Sequence, residues 1–265
     1  MNNDKTVVLF SGGVDSFLAW ERLNHPDLLY VNLGHRYAEF EWAAISEKLS
    51  SQGGPIDSTL VKYVNCNWMQ VYEKPDAEIP GRNLQLALVA ASLGYNFIGL
   101  VCQKDERSIP DRSRAFFNAT SDLLSSLFGR QILLDPVFAD MDKTDMIGWY
   151  LNQPIEGGVR LKDLVVEERI RNLKLTVACY RPAEVWVSSK EISFSRLETR
   201  QCGNCPACFR RAVAFILNGI VEDYAQDVWQ SEVAKDYRAK ALSGYYGPER
   251  AGRILSAFER ARSSG

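Results

Sequence analysis

The chain has 265 residues, with 31 Lys+Arg against 33 Asp+Glu and a formal net charge of −2. That length suits one large domain, or one domain with a small appendage, and the balanced charge gives no global pull toward nucleic acid or a membrane surface. The start Met1-Asn2-Asn3-Asp4-Lys5 is unlike a signal peptide, and six cysteines behind it point to the reducing cytoplasm, with thiols kept for metal or chemistry.

The apolar run at 6–10 predicts a first strand. Ser11-Gly12-Gly13-Val14-Asp15-Ser16 follows it, and an amphipathic run then predicts a helix over 16–23. Two adjacent glycines between hydroxyl residues, on a strand-to-helix turn, make a phosphate cradle. Unpaired backbone N–H groups and the helix dipole favour an anion there, and glycine lets it approach the backbone. The turn has neither the lysine of a Walker loop nor the three-glycine dinucleotide fingerprint.

Further strands are predicted over 28–32, 60–64, 97–101 and 131–134, alternating with helices over 37–50, 83–93, 112–128 and 143–152. This order predicts a doubly wound α/β domain with a mostly parallel sheet, whose ligand crevice lies at the carboxyl ends of the strands. The loops after the first, second and fourth strands should then share that crevice. The apolar stretch 86–102 is broken by Ser92, Gly94 and Asn96, so it reads as a helix end and a buried strand, not a membrane span.

In Ile79-Pro80-Gly81-Arg82-Asn83, Pro-Gly gives a turn and Asn83 can cap the next helix. Arg82 stands at a helix N-terminus, where a cation is unfavourable unless an anion is also present. Ligand contact and plain turn punctuation both fit these residues. Asp142-Lys143 reads, on its own, as a cap and a first helical residue.

Beyond 155 the pattern is less regular, with Gly157-Gly158 as a loop, a hairpin over 184–196, and helix after Cys208. Cys202-Gly203-Asn204-Cys205-Pro206-Ala207-Cys208 places three thiols in one turn, and Cys179 is the natural fourth ligand, nearer than Cys66 or Cys102. Four thiolates suit a structural zinc; an iron–sulfur cluster is the rival, and neither leaves an open catalytic position. Residues 235–262 carry seven Lys/Arg against three acids. Such a stretch reads as a solvated helical face, with contact to RNA or a partner protein as the alternative. The expected division is a nucleotide-binding α/β domain at 1–155, a zinc-binding, substrate-side region at 156–220 and a helical extension at 221–265.

Together, SGGVDS, Gly34-His35-Arg36, PGRN, the Asp105-to-Asp111 pattern, Asp142-Lys143 and CGNCPAC resemble the 7-cyano-7-deazaguanine synthase (QueC) family of PP-loop ATP pyrophosphatases. The resemblance runs from about residue 6 to about residue 220 and implies an adenine nucleotide alpha hydrolase-like fold, a structural zinc on Cys179, Cys202, Cys205 and Cys208, and a homodimer. It implies an ATP site made of Phe10, Ser11, Gly12, Gly13, Val14, Asp15 and Ser16, with Arg82, Asn83 and Lys143 around the nucleotide. Asp15, Ser16, Arg82 and Lys143 would be the catalytic set, and Gly34, His35, Arg36, Asp105 and Asp111 would meet the substrate. For His35 a structural role is equally compatible.

The implied enzyme is an ATP-dependent C–N ligase or synthase that releases AMP and pyrophosphate with Mg²⁺. It would adenylate 7-carboxy-7-deazaguanine, amidate it with ammonia and dehydrate the amide to 7-cyano-7-deazaguanine. The chain departs from the family at Asn32-Leu33-Gly34-His35-Arg36-Tyr37, at Gln103-Lys104-Asp105, at Ser108-Ile109-Pro110-Asp111-Arg112-Ser113 and in its long 179–202 interval. These departures keep one alternative open, a QueC-like enzyme of an anti-phage defence system that joins the deazaguanine as an amide to a protein or other amine. A nucleotide-binding module without turnover is a separate alternative, against which the intact Asp15 and Lys143 count.

Overall fold

A computed structural model describes residues 5–50, 54–75, 77–106, 109–155, 159–188 and 195–263. In chain order, β1 (Thr6–Leu9), α1 (Val14–Arg22), β2 (Asp27–Asn32), α2 (Ala38–Ala43), β3 (Val61–Asn65), α3 (Arg82–Ser92), β4 (Phe97–Val101), α4 (Arg114–Phe128), β5 (Leu133–Val137) and α5 (Lys143–Leu151) alternate. The five strands form one parallel sheet in the order β3-β2-β1-β4-β5. The chain therefore winds outward from β1 to one edge, returns to β4, and winds to the other. The switch point falls between β1 and β4, the place where such sheets bind ligands.

Side chains of the central strands alternate between two buried faces, as the pleat requires. Val8, Leu28 and Tyr30 pack with Phe17, Leu18, Met146 and Ile147 of α1 and α5. Val7, Leu9, Leu29 and Ile98 pack with Ala87, Ala90, Phe117 and Leu124 of α3 and α4. The doubly wound α/β architecture is as the sequence predicts.

Three elements differ from expectation. β5 starts later than 131 and ends at Val137. Pro136 falls inside it, which an edge strand tolerates. The helix over 37–50 continues past α2 as a π-helical segment, Ala44–Leu49. The region after 155 contains a 17-residue helix, α6 (Val159–Leu175). Its charges dilute the apolar stripe: Leu161 and Leu164 are exposed, and Leu173 is buried. The 157–158 loop lies outside the described residues.

An antiparallel hairpin, β6 (Ala183–Ser188) and β7 (Ser195–Arg200), follows, with Trp186 opposite Leu197. Three helices end the described chain: α7 (Pro206–Leu217), α8 (Glu232–Leu242) and α9 (Pro248–Ser263). They share a core of Phe209, Val213, Ala234, Ile254 and Ala257.

Arg211 ties α7 to what surrounds it. Its side chain is fully buried, doubly bonded to Glu222 at 2.7 Å, and donates to Thr176 Oγ1 (2.7 Å) and the Leu173 carbonyl (2.9 Å). Arg211→Met strands the largely buried Glu222 carboxylate, so it is expected to cost about 3–5 kcal/mol, read as a lowered midpoint in thermal or denaturant unfolding.

Candidate functional site

The loop after β1 is shaped by its glycines. Gly12 has φ +70°, and a Cβ there would lie 3.0 Å from Ile45 Cγ1; a Cβ on Gly13 would lie 3.1 Å from the Val177 carbonyl. Ser16 closes the loop: its Oγ accepts from the Ser11 N–H (3.2 Å) and donates to the Gly13 carbonyl (3.1 Å). Gly13 caps α1 without a side chain, leaving first-turn N–H groups for an anion.

Asp15, in that first turn, gathers two other elements. Lys143 Nζ donates to its Oδ1, and Gln103 Nε2 donates to its Oδ2 at 2.8 Å. Lys143 is the first residue of α5, whose N-terminus is set by a capping box: Asp142 accepts from the N–H groups of Thr144 and Asp145, and Asp145 accepts from that of Asp142. Gln103 follows β4. The loop, the cation and the amide thus meet at the switch point.

A cleft of about 230 Å³ opens there, lined by Phe10, Ser11, Gly13, Val14, Asp15, Ser16, Arg82, Asn83 and Lys143 among others. Its far wall is aromatic and ionic. His35 Nε2 pairs with Glu41 at 2.9 Å, and the Tyr37 ring lies 4.1 Å from His35 and 5.2 Å from Tyr180. Burial, with Glu41 nearby, pushes the Tyr30 and Tyr37 hydroxyls well above the ordinary phenol range, so both stay neutral. Glu106, buried, takes Arg112 and, at 3.6 Å, Arg210. Asn83 Nδ2 donates to the Asp111 carbonyl at 3.0 Å.

Gly12, Gly34, Arg36, Asp105 and Asp111 do not line this cleft. Arg36 is held by Glu73 (2.7 Å) and the Lys74 carbonyl (2.6 Å), and Asp105 by Arg250 (3.1 Å). Gly34 has φ +76°, and a Cβ there would lie 2.6 Å from the Asn67 carbonyl oxygen. Gly34→Ala is therefore expected to destabilise the fold by roughly 1–3 kcal/mol, seen as a lower unfolding midpoint whatever the ligand. Tyr37, Glu41, Glu106, Arg112, Tyr180 and Arg210 line the cleft without having been singled out as ligands. Tyr37 and Glu41 do follow the Gly34-His35-Arg36 loop within one helical turn, and Arg210 follows Cys208 by two residues, which is the signal that was available.

Beside the cleft, Cys179, Cys202, Cys205 and Cys208 are buried, with their sulfurs all within 4.8 Å of one another. Backbone N–H groups of Arg181 and Cys202 donate to Cys179 Sγ (both 3.3 Å), and that of Asn204 to Cys202 Sγ (3.2 Å). Tetrahedral zinc–thiolate bonds of about 2.3 Å put sulfurs about 3.8 Å apart. Cys202 and Cys208 are 3.9 Å apart. The donor set fits a tetrahedral metal. A second acidic group, Asp142, Asp145 and Glu249, is instead bridged by the Arg253 guanidinium.

Fold and site define a class: a doubly wound α/β protein with a glycine loop in a switch-point cleft and a four-cysteine cluster beside it. A model of the family "Queuosine biosynthesis protein QueC" matches residues 5–219, and the chain belongs to that family. Proteins named 7-cyano-7-deazaguanine synthase are similar to it. That of Azorhizobium caulinodans is 28% identical over 243 residues, covering 79% of this chain and 91% of the relative. That of Bordetella avium is 28% identical over 239 residues, covering 78% and 89%. Among the described residues, no helix is long and apolar enough to cross a membrane.

Proposed function

We propose that the protein converts 7-carboxy-7-deazaguanine to 7-cyano-7-deazaguanine, consuming ATP and ammonia and releasing AMP and pyrophosphate. The observation that carries this reading is the cleft in which the glycine loop, Asp15 and Lys143 face a wall of aromatic side chains and paired charges. One end suits phosphates; the other can hold a flat, polar heterocycle. The family membership and the names of its relatives support the same reading.

A carboxylate resists ammonia because its leaving group would be oxide. Attack by the carboxylate oxygen on the α-phosphorus of ATP breaks the bond to the β-phosphate bridge, leaving an acyl-adenylate and pyrophosphate. The N–H groups at the start of α1 and the Lys143 ammonium take up the charge that develops on the phosphates. Ammonia then displaces AMP and loses a proton, giving the amide. A second ATP adenylates the amide oxygen, and loss of AMP and protons leaves the nitrile. Arg82 and Asn83, at the start of α3, sit where nucleotide and substrate would join, and the work is positioning rather than covalent catalysis. Asp15 is the carboxylate beside the loop that would help hold Mg²⁺, which supplies further charge neutralisation. Cys179, Cys202, Cys205 and Cys208 would hold a structural zinc, keeping the α7 end of the cleft in place.

The test is to supply Mg²⁺, ATP and 7-carboxy-7-deazaguanine, with and without ammonium, and resolve products by mass. The nitrile with AMP and pyrophosphate is expected. An adenylate or amide that accumulates despite ammonium, or deazaguanine mass on a protein, would contradict the nitrile product.

A further inference from the structure

We propose that α9, which lies beyond the segment matched by the family model, is a positioning clamp for the phosphate end of the cleft. The inference rests on the ATP-dependent reading above. It starts from Asp15, whose two side-chain partners are Lys143 and Gln103. Each of these stands on a segment that α9 grips.

Arg253 of α9 grips the first. Its Nη1 donates to Asp142 Oδ1 at 2.6 Å, and its Nη2 to Asp145 Oδ1 at 2.9 Å and Oδ2 at 3.1 Å. Those two carboxylates are the capping box of α5, and Lys143 is the first helical residue after the cap. Without the guanidinium, Asp142 and Asp145 would face each other without their shared ion-pair partner, Glu249 would keep only Lys104, and the cap that sets the direction of Lys143 would loosen.

Two further pairs grip the second segment. Lys104 bonds Glu249 at 2.8 Å, and Asp105 bonds Arg250 at 3.1 Å; both residues directly follow Gln103. The Lys104 N–H also donates to the Met141 carbonyl at 2.9 Å, joining the two gripped segments to each other. The helix itself is seated by buried Ile254 and Ala257. Ion pairs on one helix therefore converge on both supports of one catalytic carboxylate. Arg253 is a positioning residue, acting through Asp142 and Lys143.

The test compares Arg253→Met with Arg260→Met in the full-length protein. Arg260 donates to the Leu217 carbonyl at 2.7 Å and does not line the cleft, so it serves as a control for helix seating. Arg253→Met is expected to lower kcat/KM for ATP about 10-fold, mainly through KM, because a small displacement of a positioning group is costly. Arg260→Met is expected to leave KM for ATP unchanged at a similar loss of melting temperature. Adding Asp145→Asn to Arg253→Met, which relieves the carboxylate crowding, should restore part of the affinity. An unchanged KM in Arg253→Met, or an equal rise in Arg260→Met, would overturn the clamp.

Amide exchange gives a readout that needs no turnover. Faster exchange at 103–106 and 142–146 in Arg253→Met, and not in Arg260→Met, is expected; unchanged exchange there overturns the proposal. If the wild-type protein releases no pyrophosphate, the ATP-dependent reading falls, and this exchange pattern alone decides whether α9 is a clamp.

Discussion

Lys143→Met is expected to reduce pyrophosphate release roughly 10²–10³-fold, the usual cost of removing one preorganised charge from a developing anion. The Lys143 ammonium is mostly shielded from solvent and reaches Asp15 across the mouth of the glycine loop. In low-dielectric surroundings a fixed cation there counts for much more than one in water. Its loss should lower kcat and weaken ATP binding together, since the same group meets phosphate charge before and during transfer. The fold should change little. Lys143 is a first-turn residue with Asp142 still capping the helix, and Asp15 keeps the Gln103 amide at 2.8 Å. Steady-state pyrophosphate assays beside a melting curve separate the two effects. Near-normal turnover would remove Lys143 from the chemistry.

Cys205→Ser is expected to act in the opposite way, on stability first. Four buried sulfurs gathered within 4.8 Å have little reason to lie together unless a cation holds them. Structural zinc brings roughly 10–16 kcal/mol to the segment that binds it, so loss of one thiolate should cost on the order of 5 kcal/mol. At about 2–4 °C per kcal/mol, that lowers the melting temperature by roughly 10–20 °C. Elemental analysis should find one zinc per wild-type chain and less in the variant, and a strong chelator should reproduce the shift. The cluster joins the segment after α6, the end of β7 and the start of α7, and Cys179 with Ala207 also lines the cleft. Activity should therefore fall with the fold. Iron in place of zinc, or no metal and an unchanged melting curve, would contradict the assignment.

The parts of this molecule that were legible in the sequence are those whose chemistry is local. Ser11 to Ser16 reads as an anion cradle because glycines, hydroxyls and a helix start are consecutive, and the structure builds the cleft around that loop. The cysteines at 202, 205 and 208 converge because their spacing spans a single turn, and Cys179 joins them as the sequence suggested. The parallel sheet follows from alternation of apolar runs and helices, with β4 matching at both ends.

What was hidden depends on contacts between distant segments. Gln103 and Asp15 are 88 positions apart, and nothing near either residue announces their hydrogen bond. Gly34, His35 and Arg36 are neighbours in the chain, yet only His35 faces the cleft, while Arg36 turns to Glu73 and Gly34 packs on Asn67. The helix Val159–Leu175 escaped because little of its surface is buried, so its apolar positions carry a weak period. Residues 235–262 read as a basic solvated face, whereas Arg250 and Arg253 within them are engaged with Asp105, Asp142 and Asp145.

The most direct measurement of the central claim is oxygen transfer. The substrate is prepared with both carboxylate oxygens labelled with the heavy isotope, turned over with Mg²⁺, ATP and ammonium, and the AMP is weighed. Activation by adenylation predicts that every AMP carries one labelled oxygen, with the first and second activation steps each removing one until the nitrile carries none. Unlabelled AMP would mean that water, not the carboxylate, attacks ATP, and would contradict the proposed activation.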